Sequence, residues 1–580
     1  MILSMSLPTS PLSSPPRASQ SFSKAAATGK ALGQYKPVRP LPFELGQHIQ
    51  TYYEESLFTQ AYGFLLSILS NSASSANKYA PVIVPPPSHL ALAATLAVHP
   101  ILTTRTRSHE KREQANAAFR LLRLVNNTAG PINAGFSAAF SFKKYDFRSS
   151  RHGGSRFDDH DEDDYSPPAV ADQKLNTPFA GPESIWTRAE DLWQVVGWAF
   201  NCSCLPGIYA ARWGYWRLWL QFLLDVLETD WHIRCRTDRP EESLLWQYIE
   251  LAPGGNARSR RVLRAIFADG SSKSLNEFRE VFRHELKEPA NEADRMKKRE
   301  GDVNVEAEVY GDYMAQDESD LSEEGEGDHA AVGRPSKRLR TRTPSAHRVT
   351  PRTSAGSLRS EYENDPEGDA MGSTSNLGGS DALQLRLRLL SLLSPVSAHP
   401  TLTSTSPTTF PDLEELHTLF VEFIKPLPLG TFLHIVAPYA NDVFPPHTLS
   451  ALCESLLQRM LESSAPSIRS ERLLTQTKLE VEYLPFAAGK NSVDANARVS
   501  LLLEALLRTL AADRHLRPRQ QLMSAVEKGI ERRTSRAAEM GDKRRKGGKA
   551  KTNASDEDEA WNWLVESGER MRIVVNGLAD

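Results

Sequence analysis

The chain is poor in cysteine, with only Cys202, Cys204, Cys235 and Cys453 among its 580 residues. That is too few for a disulfide framework at this length, and it points to a reducing compartment. Long apolar runs are also missing. The nearest approach, Trp213 to Leu227, is broken by Arg217 and Asp225 and falls short of the roughly 18 apolar residues a membrane helix needs. No membrane contact is expected. Net charge is small, at -3, so there is no overall pull towards nucleic acid or anionic lipid. Catalytic signatures are lacking: there is no Gly-x-Ser-x-Gly, no Walker loop and no His-Glu-x-x-His. Pro253-Gly254-Gly255-Asn256 reads as a turn before a helix and not as a phosphate cradle. No catalytic residue, cofactor site or metal site is assigned, and the chain is read as non-enzymatic.

Tryptophan, by contrast, is concentrated. Trp186, Trp193, Trp198, Trp213, Trp216, Trp219, Trp231 and Trp246 are eight of the ten in the chain. Trp carries the largest apolar side chain, with a ring N–H that needs a partner when buried. Placed on helices, these residues mostly read as core. Ile185, Trp186, Ala189, Leu192, Trp193, Val196 and Phe200 fall at helical spacing after Ser184, a good N-cap. Tyr209 to Thr229 is apolar almost all round, the pattern of a central helix. Trp231 and Trp246 stand in more polar stretches and are the candidates for an exposed partner surface.

Polar segments divide the rest. The apolar fraction is 40%, below the globular average, because these segments dilute folded blocks of ordinary composition. Residues 1–40 are rich in Ser, Pro and Ala and read as a disordered tail. A helical block follows over 41–146, with helices after Ser88 and over Glu110 to Val125. Residues 147–182 form an acidic linker, with six carboxylates around His160 in Asp158 to Asp164. The tryptophan block covers 183–289. It ends in a helix carrying Phe278, Val281, Phe282 and Leu286, introduced by a capping box of Ser274 and Glu277. Residues 290–380 read as disordered: acidic, then basic, then Gly/Ser-rich. A third helical block covers 381–540, with Pro411 in a first turn and helices near Pro446–Leu461 and Val493–Leu510. A charged tail, 541–580, closes with a short aromatic helix at Trp561 and Trp563.

The fold class is therefore all-α: two or three helical blocks separated by long disordered segments. Helix pairs of similar size suggest an α-solenoid of HEAT-like type, without a residue-level repeat at a fixed period. Leu479 to Leu484 is the only strand-like alternation.

The strongest functional signal is the basic run Arg334, Lys337, Arg338, Arg340 and Arg342. In flexible sequence, such a run fits the acidic groove of an import receptor and can also touch phosphates. Lys543 to Lys551 is a second basic cluster. Gly333-Arg334-Pro335 is one incomplete copy of an AT-hook core. Ser14, Ser166, Thr343 and Thr350 precede proline, and Ser322 and Ser555 precede acidic residues. These are candidate phosphorylation sites whose modification would change linker charge. Cys202, Cys204, His232 and Cys235 are zinc-ligand types, but Cys-x-Cys is not the usual spacing, and core thiols are the better reading. Val82-Ile83-Val84 matches a SUMO-binding strand only as far as any buried apolar triplet does.

The expectation is a non-enzymatic nuclear scaffold or adaptor, a subunit of a larger protein assembly, with chromatin or genome maintenance as its leading setting. It needs no cofactor, and its partners are proteins and an import receptor. Weak nucleic-acid contact through the basic segments is the alternative, with Arg212 and Arg217 beside Trp213 and Trp216 as further contacts. An enzyme with an unfamiliar site is weaker still. Residues 1–43 contain no Asp or Glu, which also suits a mitochondrial transit peptide, although Pro8, Pro11, Pro15 and Pro16 oppose its helical form.

Overall fold

The computed structural model describes residues 35–75, 77, 79–142, 175–289, 377–405, 410–437, 443–466, 474–546 and 554–578; within these, the side chains at 256, 403–405, 540–546 and 554–556 are not described. These residues form an all-α fold. The longer helices are α1 (Phe43–Glu54), α2 (Phe58–Ala73), α3 (Pro87–Leu96), α4 (His109–Asn133), α5 (Leu192–Cys204), α6 (Ile208–Arg236), α7 (Leu244–Glu250) and α8 (Arg258–Ile266). They continue with α9 (Ser380–Ser397), α10 (Leu413–Ile424), α11 (Leu429–Val436), α12 (Pro446–Gln458), α13 (Val493–Ala512), α14 (Gln520–Lys546) and α15 (Ala554–Asn576). One parallel pair of short strands, β1 (Val38–Pro40) and β2 (Val82–Val84), joins the chain start to α3, in the register Val38 to Val82. The Val82 triplet thus supplies a strand to this chain's own β1. No described helix is long and apolar enough to cross a membrane.

Local chemistry sets the helix ends. Asp191 accepts the Gln194 N–H at 2.7 Å to start α5, and Ser243 accepts that of Trp246 at 3.2 Å to start α7. Ser184 caps only one turn, Ile185–Arg188, because Ala189 is extended. The single helix expected over 185–200 is therefore two. Helix α3 begins at Pro87, not after Ser88, with proline in the first turn, where its missing N–H leaves nothing unpaired. Pro411 lies just ahead of α10, whose cap is Asp412. Helix α4 runs past Asn126-Asn127 and kinks at Gly130, which has φ 76° ahead of Pro131. A Cβ at Gly130 would stand 2.8 Å from the Tyr35 ring, so the kink needs glycine both for its backbone and for close approach. The Leu479 to Leu484 alternation forms a π-helical turn, Leu479–Tyr483, not a strand.

The helix expected beyond Ser274 is a short one, Ser272–Glu277, capped by Ser271. Residues 278–286 leave helical form but still bury Phe278, Val281 and Phe282. Phe278 packs against the bare backbone of Gly197, where a Cβ would lie 2.3 Å from the ring, and Glu285 turns inward. Tertiary contacts here outweigh the helical pattern.

In a solenoid each repeat touches its neighbours. Here α6 packs against α5, its neighbour, and also against α4 and α9 from distant sequence. One hydrophobic cluster runs from Ile49 to Val575 and draws on every one of the helices α1 to α15. A smaller one gathers Leu429, Leu433, Val493, Leu501, Ala560 and Leu564. All described residues up to 288 and from 377 onward belong to one compact unit.

Candidate functional site

Helix α3 explains where the tryptophans go. Its sequence is alanine-rich, so bulky rings can reach its backbone. Trp186 donates its ring N–H to Ala91 O at 3.0 Å and Trp219 to Ala94 O at 3.1 Å. Trp193 donates to Tyr248 O at 3.0 Å. Each ring is buried with its polar tip satisfied, which is the requirement buried tryptophan imposes. Trp231 and Trp246 are only 3% and 5% exposed. This corrects their assignment as a partner surface: the flanking polar residues lie on the other faces of their helices while the rings turn inward.

Arg212 is corrected in the same way as a nucleic-acid contact, whereas Arg217 stays partly exposed and pairs with Asp381. Arg212 is fully buried on α6, its Nε donating to Glu285 Oε1, its Nη1 to Thr103 Oγ1 and its Nη2 to Val98 O, all at 2.8 Å. Trp216, one turn on, donates Nε1–H to the same Glu285 oxygen at 2.7 Å, while Oε2 accepts the Phe282 N–H at 3.2 Å. Both charges are paired and nearly every lone pair is used, the condition under which a buried ion pair is tolerated.

A second charged chain lies alongside. His99 is held edge-on between Phe179 and Phe282. Its Nε2 stands 3.7 Å from Glu183 Oε2, too far for a hydrogen bond, and the two attract as charges only when the imidazole is protonated. Glu183 also pairs with Arg188. Burial lowers the His99 pKa, and Glu183 only partly offsets it. A cavity of about 620 Å³ opens over this chain, lined by Phe142, Glu183, Arg188, Tyr248, Leu251 and Arg283 among others. Arg283 is exposed and has no ion-pair partner among the described residues. The cavity can seat an apolar group with an anion against Arg283. A smaller cavity, about 370 Å³, lies at the α4 kink between Tyr35, Gly130, Arg234 and Arg239.

The thiols read as core. Cys202 is buried, and Cys204 Sγ lies 3.5 Å from Arg386 Nη2. Arg386 sits over the Phe200 ring at 4.1 Å and also donates to Leu377 O and Ile266 O, tying α9 to the tryptophan block. His232 Nδ1 is engaged by Glu228 O. Among the described residues, no group of three His, Cys, Asp or Glu is placed to hold a metal ion.

The basic run Arg334, Lys337, Arg338, Arg340 and Arg342 lies outside the described residues, as do Ser14, Ser166, Ser322, Thr343 and Thr350. Ser555 falls at the second position of α15. Sequence reading missed His99, Glu183 and Glu285. The one available signal was Arg212 within an apolar helix, since a buried cation needs a counter-charge; nothing in the pattern names Glu285 as that charge. No protein-family model matches the chain, and no curated protein matches it.

Proposed function

We propose that this chain is a non-enzymatic nuclear adaptor, a folded subunit of a larger protein assembly, imported through Arg334 to Arg342 and tuned by phosphorylation of its charged segments. A setting in chromatin or genome maintenance follows from the nuclear assignment. The observation that supports the adaptor reading is the outer face of α15. Trp561, Val565 and Ile573 are 37%, 43% and 69% exposed. Exposed Asp558, Glu566 and Glu569 flank them. The helix is otherwise anchored: Arg570 pairs with Glu504 on α13 at 2.8 Å, and Arg572 with Glu527 on α14 at 2.7 Å. Glu566 and Glu569 pair with Arg570 and Arg572 of the same helix, so exposed apolar side chains with a charged border of both signs, on a helix held from behind, suit an amphipathic helix of a protein partner.

The test is affinity purification of the tagged full chain from nuclei, with mass spectrometry, beside a Trp561→Asp/Val565→Asp variant. The reading expects a stoichiometric nuclear complex that the variant loses while still folding. Recovery of mitochondrial partners would overturn the nuclear assignment. A complex unchanged by the variant would remove α15 as its docking face.

A further inference from the structure

We infer that the turn between α13 and α14 is a preformed phosphate-binding face that contacts the backbone of a nucleic acid. This goes beyond the adaptor reading and does not depend on the basic linkers.

Arg514, His515, Arg517 and Arg519 lie within six residues, and all four are exposed. None of the four has a carboxylate within ion-pair distance among the described residues, whereas Arg498 and Arg508 on α13 and Arg570 and Arg572 on α15 are all paired. Asp513 is the only acid between 513 and 519, so the turn carries a net charge of +2 with His515 neutral (three arginines less one aspartate). The turn is fixed. Arg514 takes a left-handed φ of 56°, and the His515 N–H bonds back to Leu510 O at 3.0 Å. Leu516 is buried as an anchor. Gln476, itself buried, grips Arg517 from beneath, its Nε2 donating to Arg517 O at 2.8 Å and its Oε1 accepting the Arg517 N–H at 2.9 Å.

Burying this anchor leaves Pro518 as the one exposed apolar side chain between 513 and 519, hemmed by Arg517 and Arg519. A protein partner would want an apolar centre to the interface. A nucleic-acid interface is polar and strongly positive, and the planar guanidinium matches phosphate oxygens two at a time. With no Phe, Tyr or Trp in the turn to stack a base, the contact is carried by the arginines and reads backbone charge and not sequence.

The experiment is fluorescence anisotropy of the full chain against a labelled 20-base-pair DNA duplex of arbitrary sequence, titrated across salt. The comparison proteins are Arg514→Ala/Arg517→Ala/Arg519→Ala and the charge-keeping Lys triple. Each phosphate contact contributes roughly 0.9 to the slope of log affinity on log salt. The Ala triple should lower that slope by about 2.7 and weaken binding at least about tenfold at low salt, with unchanged melting, while the Lys triple keeps the slope. Neutralising Lys337, Arg338, Arg340 and Arg342 should leave this component in place. An Ala triple with the wild-type slope overturns the proposal. So does a polyglutamate peptide that competes as well as unlabelled duplex at equal charge, which would mark an acidic protein partner instead.

Discussion

Two buried arginines in different parts of the molecule meet opposite conditions. Arg212, in the tryptophan block, faces Glu285 and spends its remaining donors on Thr103 and Val98. Arg533, on α14, is as deeply buried but has no carboxylate partner among the described residues. Its Nη1 donates to Leu484 O and Phe486 O, and its Nε and Nη2 find no acceptor. Burial pushes its pKa down to about 9. The carbonyls it meets end the helical stretch Gln476–Tyr483, where partial negative charge accumulates. The first region encloses complete charge pairs. The second fastens one cation on a helix end and leaves other cations, at 514–519, facing solvent. Burial alone therefore does not say what a charge is for; its counter-charge does.

The largest expected effect breaks the first arrangement. Glu285→Ala leaves Arg212 buried without a counter-ion and Trp216 without an acceptor, and should destabilise the protein by about 3–5 kcal/mol. Arg212→Met should fall in the same range, because it strands the carboxylate. Arg533→Met removes a charge with no partner and should cost about 1 kcal/mol or less, its lost carbonyl bonds offset by relief of desolvation. Equal losses for the two methionine variants in urea unfolding would erase the distinction.

Acid should act next. His89 and His417, one in each region, are buried, and burial pushes each pKa down to about 4. The unfolded chain takes up these protons first, near pH 6.5. Stability is therefore intact above about pH 6.5 and is lost as pH falls towards 4, with each histidine removing on the order of 2 kcal/mol between pH 7 and 5. His89→Gln should shrink that acid-dependent loss by about half of the pair's contribution. An unchanged loss would place the sensitivity elsewhere.

A smaller effect tests how closely α14 seats on the Leu484 turn. A Cβ on Gly529 would come within 1.9 Å of Leu484 O. Gly529→Ala must move the helix or the turn, for an expected loss of about 1–3 kcal/mol. A melting temperature equal to that of the parent would mean that the contact is loose.

The smallest expected effect is that of Trp561→Ala. The ring is partly exposed on α15, so stability should change by no more than about 0.5 kcal/mol. Trp193→Ala, in the core, should cost about 3–5 kcal/mol. Measured side by side, they separate the tryptophan that packs from the one that faces outward.

Much of the fold was legible in the chain. The helices at 493–512, 446–458 and 258–266 follow their apolar spacing closely, and the near-uniform apolar run of α6 marked it as central. The cap at Ser184 was readable, but not the break at Ala189 or the new cap at Asp191, because a cap says where a helix begins and not how far it goes. The site was barely legible. Glu285 looked like one more polar residue at the end of an amphipathic helix, and Arg212 like one more exposed cation. The outward tryptophan is Trp561, whereas Trp231 and Trp246 turn in, since the polarity of neighbours along a helix fixes its average exposure and not the direction of one ring.

By itself, the sequence determined the local terms: helical periodicity, cap chemistry, the concentration of tryptophan, and the separation of apolar blocks from charged runs. Each depends on residues a few positions apart, so the pattern carries it directly. Tertiary structure alone decided that the three blocks share one core, that α3 offers its carbonyls to Trp186 and Trp219, and that Arg212 is paired while Arg514, Arg517 and Arg519 meet no carboxylate among the described residues. Such outcomes bring together groups 73 positions apart, as for Arg212 with Glu285, or 182 apart, as for Cys204 with Arg386. The energy of such pairs depends on burial and distance, neither of which is fixed until the chain has packed.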